Sequence, residues 1–588
     1  MKLILSIFLI TNLTAMAQTK PKVSISGTLG STYEHYGLST NPGTPIFYTP
    51  RRPYNQLRFS IAPTVNVGKN LSIPFNFNFA AKPTSVFGPF GALPAIRPLS
   101  LGQFITNPLN NFSINPKYKW AELQLGTQYL NYTELTTGDI GIFGVGVDLK
   151  PPKNNVFKLF TGVSQQTINP ILPTLLGAYK RTHWMLQAGK QKEGSYKALL
   201  TLAKGKDVNN STTPFPLLPN PANVDPQEAF VASVTLGKLF KKGYYAEAEM
   251  AQGLFTTNTT VGIPPPGGVS SIKPFITANA STIKDYAGNL TFGKKGKHFD
   301  IGLKTKYLGA GYQTMGFPFL QPDRLDVTLN TKFDAWKTKT DNYKTNVVAS
   351  VGNRINHFSG STGVRANQLI ANINCFTQFN DKFNLNVSYN NFGFNTNGLT
   401  LGLPSIKNVS NDFSVSPTFT WSTKTMLNLL SFNYSYSKYK ESFIPPGSST
   451  ATLTINNTHT AMMSYVPTFF EKKAAPDFTV VYFINKIPSF TLQLFTLTSG
   501  ISAPLCNNKI RWKGQVQYTI SKSQSFVPNN NLLLNTSADW AVTKKINWNF
   551  YVNSNLFQYG NELAPPTALT GANYLESFVR TGITYRWK

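Results

Sequence analysis

From Lys22 to Lys588 the chain is a succession of segments, each roughly 10–14 residues long, in which apolar and polar side chains alternate. Between Lys545 and Gln558, Ile546, Trp548, Phe550, Val552 and Leu556 share one face, and Asn547, Asn549, Tyr551, Asn553 and Asn555 share the other. Between Asp381 and Asn391, Phe383, Leu385, Val387 and Tyr389 oppose Asn384, Asn386, Ser388 and Asn390. The same alternation runs through Trp120–Leu130 and Trp512–Ser521. A period of two means a strand with one apolar and one polar face. Strands of soluble sandwiches are mostly shorter, about five or six residues, whereas a tilted strand needs about ten to cross a bilayer. Backbone polar groups in hydrocarbon must all be paired, so such a sheet spans only as a closed barrel.

Composition excludes the main alternatives. Aromatic residues make up 13% of the chain, which is too many for a disordered polymer. No run beyond the N-terminus approaches the length of a membrane helix. Met1-Lys2, the apolar stretch Leu3–Leu13 and Ala15-Met16-Ala17 have the form of a signal peptide, so 1–17 is expected to be removed and 18–588 to be exported. The net charge of +30 would ordinarily raise nucleic-acid binding, but an exported chain with no recognition module gives that reading no support.

Connection lengths then set the topology. Short links are expected at Gly68-Lys69, Pro116-Lys117, Pro151–Lys153, Lys192-Glu193, Lys241-Lys242, Lys295-Gly296, Thr338–Thr340, Asp381, Thr423, Lys472-Lys473, Cys506-Asn507 and Lys544. They alternate with mostly longer links rich in Pro, Gly and Asn, such as Pro83–Pro108, Asn209–Asp225, Thr256–Thr282 and Gly311–Asp323; the tight turn at Lys486–Ser489 is the one poor fit. Outer-membrane barrels have short periplasmic turns and longer outer loops. The expected fold is therefore an all-β, single-chain transmembrane antiparallel barrel of about 26 strands, with 24 as the alternative and both termini periplasmic. Strand-like alternation starts near Val23, which leaves no room for an N-terminal plug domain.

The last residues add a specific signal. Arg580, Gly582, Tyr585 and Trp587 resemble the β-signal of outer-membrane barrels, an exposed strand edge with which the barrel-insertion machinery pairs; Lys588 after Trp587 departs from the usual aromatic end. A second resemblance is clearest over residues 56–166. It is carried by Leu71-Ser72-Ile73-Pro74-Phe75-Asn76-Phe77, Ile114-Asn115-Pro116-Lys117-Tyr118-Lys119-Trp120 and Gly141-Ile142-Phe143-Gly144-Val145-Gly146-Val147-Asp148-Leu149-Lys150-Pro151. An echo follows in Tyr307-Leu308-Gly309-Ala310-Gly311-Tyr312-Gln313-Thr314-Met315-Gly316. These stretches resemble the uncharacterised barrel region of large Bacteroidota surface proteins, the TANFOR-like group. The resemblance implies an outer-membrane barrel of a Bacteroidota cell and brings no substrate and no functional residues.

The chain offers little chemistry. Its five histidines (His35, His183, His298, His357 and His459) are scattered, and no His/Cys/Asp cluster has metal spacing, so no catalytic, cofactor or metal residue is expected. Cys375 is expected to face lipid and Cys506 to lie at a periplasmic turn, as two inert thiols. The excess positive charge is read first as lysines crowding the short turns, where they can meet headgroup phosphates; the alternative is a basic lumen carrying Lys304, Lys306, Lys332 and Lys513. An open barrel this wide endangers the cell, so something must fill it. The expected gate is the loop Pro83–Pro108, whose Val86, Phe87, Phe90, Leu93, Ile96, Leu101 and Phe104 are too apolar to stay solvated and should fold inward against the wall or into a partner; the alternative is a membrane-embedded extension of the strands. Three functions remain, in this order: a conduit for a solute, polymer or protein, a non-conducting assembly component whose loops bind surface lipoproteins or other outer-membrane proteins, and a membrane enzyme. Each would contact outer-membrane lipids, including lipopolysaccharide.

Overall fold

The computed structural model describes residues 22–40, 55–80, 101–105, 110–138, 140–167, 178–212, 225–265, 275–338, 343–360, 364–397, 405–445, 450–523, 527–560 and 573–587. The first third comprises β1 (Val23–Thr40), β2 (Asn55–Val67), β3 (Leu71–Ala80), a short helix α1 (Leu101–Ile105), β4 (Asn111–Ile114), β5 (Lys117–Tyr118), β6 (Ala121–Tyr129), β7 (Gly141–Leu149), β8 (Asn155–Gln165) and β9 (Arg181–Lys192). The middle comprises β10 (Tyr196–Asp207), β11 (Glu228–Leu239), β12 (Tyr244–Thr256), β13 (Thr282–Lys295), β14 (Phe299–Leu308), β15 (Arg324–Lys337), β16 (Lys344–Asn356), β17 (Arg365–Gln378) and β18 (Phe383–Asn397). The last third comprises β19 (Ser405–Ser422), β20 (Met426–Ile444), β21 (Thr452–Phe469), β22 (Ala475–Ile487), β23 (Phe490–Leu505), β24 (Ile510–Ser523), β25 (Asn529–Ala541), β26 (Ile546–Gln558) and β27 (Tyr574–Trp587).

Each strand pairs antiparallel with its sequence neighbours, and β27 returns to β1 in a ladder from Gly27↔Trp587 to Thr40↔Tyr574. β4 and β5 are two halves of one stave, since both pair with β3 and with β6. The barrel therefore has 26 staves. The break between the halves has a local cause. Pro116 has no N–H to give the ladder, and opposite β4 sits Gly126 at φ 86°, where a Cβ would lie 1.8 Å from the Phe112 carbonyl oxygen. The expected short link at Pro116-Lys117 is thus a bulge inside a stave, and the turn itself is at residues 119–120.

Alternation fixes the two faces of the wall. Leu303, Leu329 and Val351 stand side by side on adjacent strands, as do Val387, Val415 and Tyr434, and all six point outward. One residue along, Asn330 pairs with Ser350 and Ser388 with Ser414 on the inward face. No helix among the described residues is long and apolar enough to cross a membrane. Several strands exceed the expected length, among them β1, β19, β20 and β21 at 18, 18, 19 and 18 residues. β1 begins and β27 ends at the rim of the short turns, where Gly68 N–H bonds the Lys22 carbonyl and Arg586 N–H that of Lys545.

Candidate functional site

The polar, inward face encloses the lumen, and two connections fold into it. The first is the β6–β7 connection, residues 130–140. Tyr132 lies under the ammonium of Lys158 on β8, 5.4 Å from its ring centre, and its carbonyl accepts a hydrogen bond from the Gln187 amide on β9 (3.3 Å). Two residues on, Glu134 accepts bonds from Lys304 on β14 at 2.8 and 3.0 Å, with Lys306 at 4.0 Å. Between these anchors the segment crosses in front of β10–β13. Leu135, 0% exposed, packs with Val231, Ala251, Ala287 and Leu308. The strap is stiffened internally: Thr137 Oγ1 accepts the Tyr132 N–H (2.7 Å), and Thr133 and Thr136 bond side chain to side chain (2.6 Å).

The second connection runs from β14 to β15, residues 309–323, and contains most of the Tyr307–Gly316 motif. Tyr312 donates its hydroxyl to the Leu135 carbonyl (2.7 Å), Thr314 donates to the Thr136 carbonyl (3.0 Å), and Gly138 N–H bonds the Gly316 carbonyl (2.8 Å). The two connections are therefore one unit. Close approach explains several glycines and alanines of the inward wall. A Cβ on Gly253 would come within 3.0 Å of the Tyr312 ring, and one on Gly205 within 2.6 Å of Met315. Gly138 leaves room for the Phe317 ring, which a Cβ would meet at 2.4 Å.

Among the described residues, three clusters of buried apolar side chains line the inward face of this sector, between Leu130 and Leu320, and a fourth, Phe230, Leu254 and Ile276, lies on its outward face. The inward faces of β18–β26 carry instead Asn, Ser and Thr that bond sideways. Ser388 and Ser414 are 2.7 Å apart, Asn433 donates to Ser416 at 2.6 Å, and Thr496 and Thr519 are 3.0 Å apart. Among the described residues no connection packs over that wall.

The sequence-predicted residues fall in separate places. Arg580, Gly582, Tyr585 and Trp587 all lie on β27, the closing strand; Tyr585 and Trp587 stack outward at 5.7 Å, while Arg580 faces the lumen over the Tyr551 ring. Of the expected gate, Val86, Phe87, Phe90, Leu93 and Ile96 lie outside the described residues, and Leu101 and Phe104 belong to α1. Phe104 packs on Phe79 and Phe112, with ring centres 6.1 and 5.9 Å away. Phe79 shares a face with Phe59 and, through it, with the row next to Leu29 and Ile61, which is the outward face. The described end of that loop therefore sits against the outside of the wall.

Lys304, Lys306, Lys332 and Lys513 do face inward, in register with Thr328, Asp326, Asp300 and Ser537. Cys375, between Val347 and Val387 on the outward face, and Cys506, at a short turn, are both free thiols. The histidines remain apart: His183 is buried against Ser164, and His459 packs against Tyr436 on the outside. Among the described residues no group of His, Cys, Asp and Glu could hold a metal.

Residue-by-residue reading passed over the strap and Glu249, a 5% exposed acid of the inward wall with one oxygen unpartnered. A signal for the strap was present. Inward positions in β7–β12 hold Gly144, Gly146, Ala203, Gly205, Ala251 and Gly253, where later strands hold Asn and Ser. Small residues on a polar face mark a surface against which something packs closely.

No protein-family model matches the chain, and no curated protein does. Solved structures similar to it are outer-membrane assemblies at very low identity. An E. coli P pilus tip assembly intermediate, PapC-PapD-PapK-PapG, matches with a TM-score of 0.43 and 10% identity, over 96% of this chain and 62% of that one. The FrpB iron transporter of Neisseria meningitidis matches at 0.39 and 9%, over 98% and 83%. The copper transporter OprC matches at 0.38 and 8%, over 97% and 81%. The barrel assignment rests on the chain's own closed pairing.

Proposed function

We propose that this protein is an outer-membrane conduit, exported by its N-terminal signal, with both termini in the periplasm and its lumen narrowed along one side by its own loops. The observation that carries the reading is the strap from Gln187 to Lys304, which fills the lumen in front of β9–β14 while the wall of β18–β26 stays lined by small polar side chains. A pore wall of hydroxyls and amides can exchange hydrogen bonds with water and with passing solute. The expected Pro83–Pro108 gate is not needed for this arrangement, because the strap narrows the barrel from a different connection.

Single-channel recording in planar bilayers tests it. The parent should conduct, and a variant with Tyr132–Thr137 replaced by a short Gly-Ser link should conduct several-fold more. If neither passes current while the protein remains folded, the conduit reading fails and a non-conducting assembly role takes its place. Orientation is tested separately in whole cells, with Cys375 and Cys506 changed to Ser: an impermeant maleimide should label Gly267→Cys and spare Lys242→Cys. Labelling of the second alone would invert the barrel.

A further inference from the structure

On the outward face of β19–β24 the apolar band ends in lysines. Along β19 the outward residues Trp421, Phe419, Pro417, Val415 and Phe413 span nine positions. At about 3.3 Å per residue and a tilt near 40°, that is ~23 Å, close to the height of a barrel's apolar band. Tyr436 is the β20 partner of Phe413, and the next outward positions on β20 are Lys438 and Lys440. Lys438 stands beside Asn457 of β21, and Asn457 beside Lys486 of β22. Lys407 and Lys522 flank this row on β19 and β24.

All five lysines are exposed, and none has a carboxylate within ion-pair distance among the described residues. The nearby acids Asp412 and Glu441 point the other way, into the lumen, with Ser437 and Asn408 as their strand partners. The contrast within the same barrel is sharp. Outward Lys204 and Lys206 on β10 are neutralised by Glu228, which is 0% exposed, at 2.7 and 3.5 Å. Below the row lies an open depression lined by Phe413, Tyr434, Tyr436 and His459, with Lys438 and Lys486 at its edge. His459 packs tilted against Tyr436 with ring centres 4.8 Å apart and bonds the Tyr434 hydroxyl at 2.9 Å, which ties the floor together.

We propose that this patch binds the phosphorylated headgroup of an outer-leaflet lipid, with Lys438, Lys440 and Lys486 holding the phosphates and the aromatic floor taking the first part of the acyl region. Lysines at the edge of a hydrocarbon band extend their ammonium groups to headgroup level, where an anionic surface attracts them. Lys438 and Lys486 are two strands apart, about 10 Å at the backbone, so their flexible stems can close on one phosphate or span two. The inference rests on the reading that the long-connection rim faces outward, which the maleimide experiment tests independently.

The test uses the full-length barrel in detergent and native mass spectrometry with diphosphorylated lipid A, the dephosphorylated form, inorganic phosphate alone, and an acidic polysaccharide free of lipid. The parent should retain the diphosphorylated lipid at least about tenfold better than the dephosphorylated one, as expected for several lysines acting together. Lys438→Gln/Lys440→Gln/Lys486→Gln should lose that preference, and the control Lys241→Gln/Lys242→Gln/Lys473→Gln at the other rim should keep it. Unchanged thermal unfolding without lipid checks that both variants fold. Equal retention by parent and triple variant overturns the site, as does equal loss in the control. Saturation by inorganic phosphate at the same concentration, or tighter capture of an acidic polysaccharide than of the lipid, also overturns it.

Discussion

Two sectors of one barrel wall share the same alternation yet carry different interiors. From β6 to β15 the inward positions are rich in glycine and alanine, and they are covered by Tyr132, Leu135, Tyr312 and Met315. From β18 to β26 they are mostly Asn, Ser and Thr, and many of these bond one another sideways, as Ser464 and Thr479 do at 3.0 Å. The strand period decides only that a residue faces inward. Its size decides what comes next: a missing side chain leaves a trough into which a loop packs, and a short polar one leaves a wall that bonds to itself and to water.

An arginine scan gives the largest effects and can break this comparison. Thr201, 0% exposed and bonded to Gln187, faces inward beneath the strap, so Thr201→Arg should cost about 3–5 kcal/mol by burying an unpaired charge. Ser414 faces inward in the other sector, and Ser414→Arg should cost less than about 1 kcal/mol. Its neighbour Val415 faces outward between Val387 and Tyr434, where Val415→Arg should cost roughly 2–4 kcal/mol. Folding titrations into lipid vesicles read all three. Equal tolerance of Thr201→Arg and Ser414→Arg would mean that the sectors do not differ.

Strap docking comes next. Leu135→Ala removes the side chain that joins the strap to Val231, Ala251 and Leu308, at a cost of about 2–4 kcal/mol. Because the barrel ladder does not pass through Leu135, the cost should appear as strap release: faster hydrogen exchange at residues 130–138 and higher conductance, with the barrel still folded. Unaltered exchange there would show that the apolar contacts do not hold the strap.

The smallest effect is expected at the Glu134 anchor. Glu134 is half exposed and its pairing with Lys304 is screened by lumen water, so Glu134→Gln should cost only about 0.2–1 kcal/mol. It should raise the frequency of brief openings at low salt, and the difference from the parent should fade as added salt screens the pair in the parent too. A large, salt-independent change would move the anchor from electrostatics to packing.

Much of this architecture was legible in residues alone. The alternation at Ile546–Leu556 and Phe383–Asn390, the turn lysines at Lys241-Lys242, and the closing strand at Arg580–Trp587 are local signals. Each rests on a backbone period or a connection length, and a closed sheet in lipid admits few arrangements of such segments. The Pro116 stave was misjudged by three residues because a bulge needs its partner, and Gly126 lies on the next strand. The apolar content of the 83–108 loop gave no direction to its packing, since apolar attraction has none, and the half-buried Phe104 packs on Phe79 and Phe112 on the outside of the wall.

What the sequence by itself determined, then, is the wall: its alternation, facing, closure and the rim at which the first and last strands meet. The contents of the lumen were decided by tertiary structure. Tyr312 reaches the Leu135 carbonyl across 177 positions of chain and Lys304 reaches Glu134 across 170. Contacts at such separations form only after the barrel has brought β6 and β14 to face one lumen, so no local pattern in either segment could specify its partner.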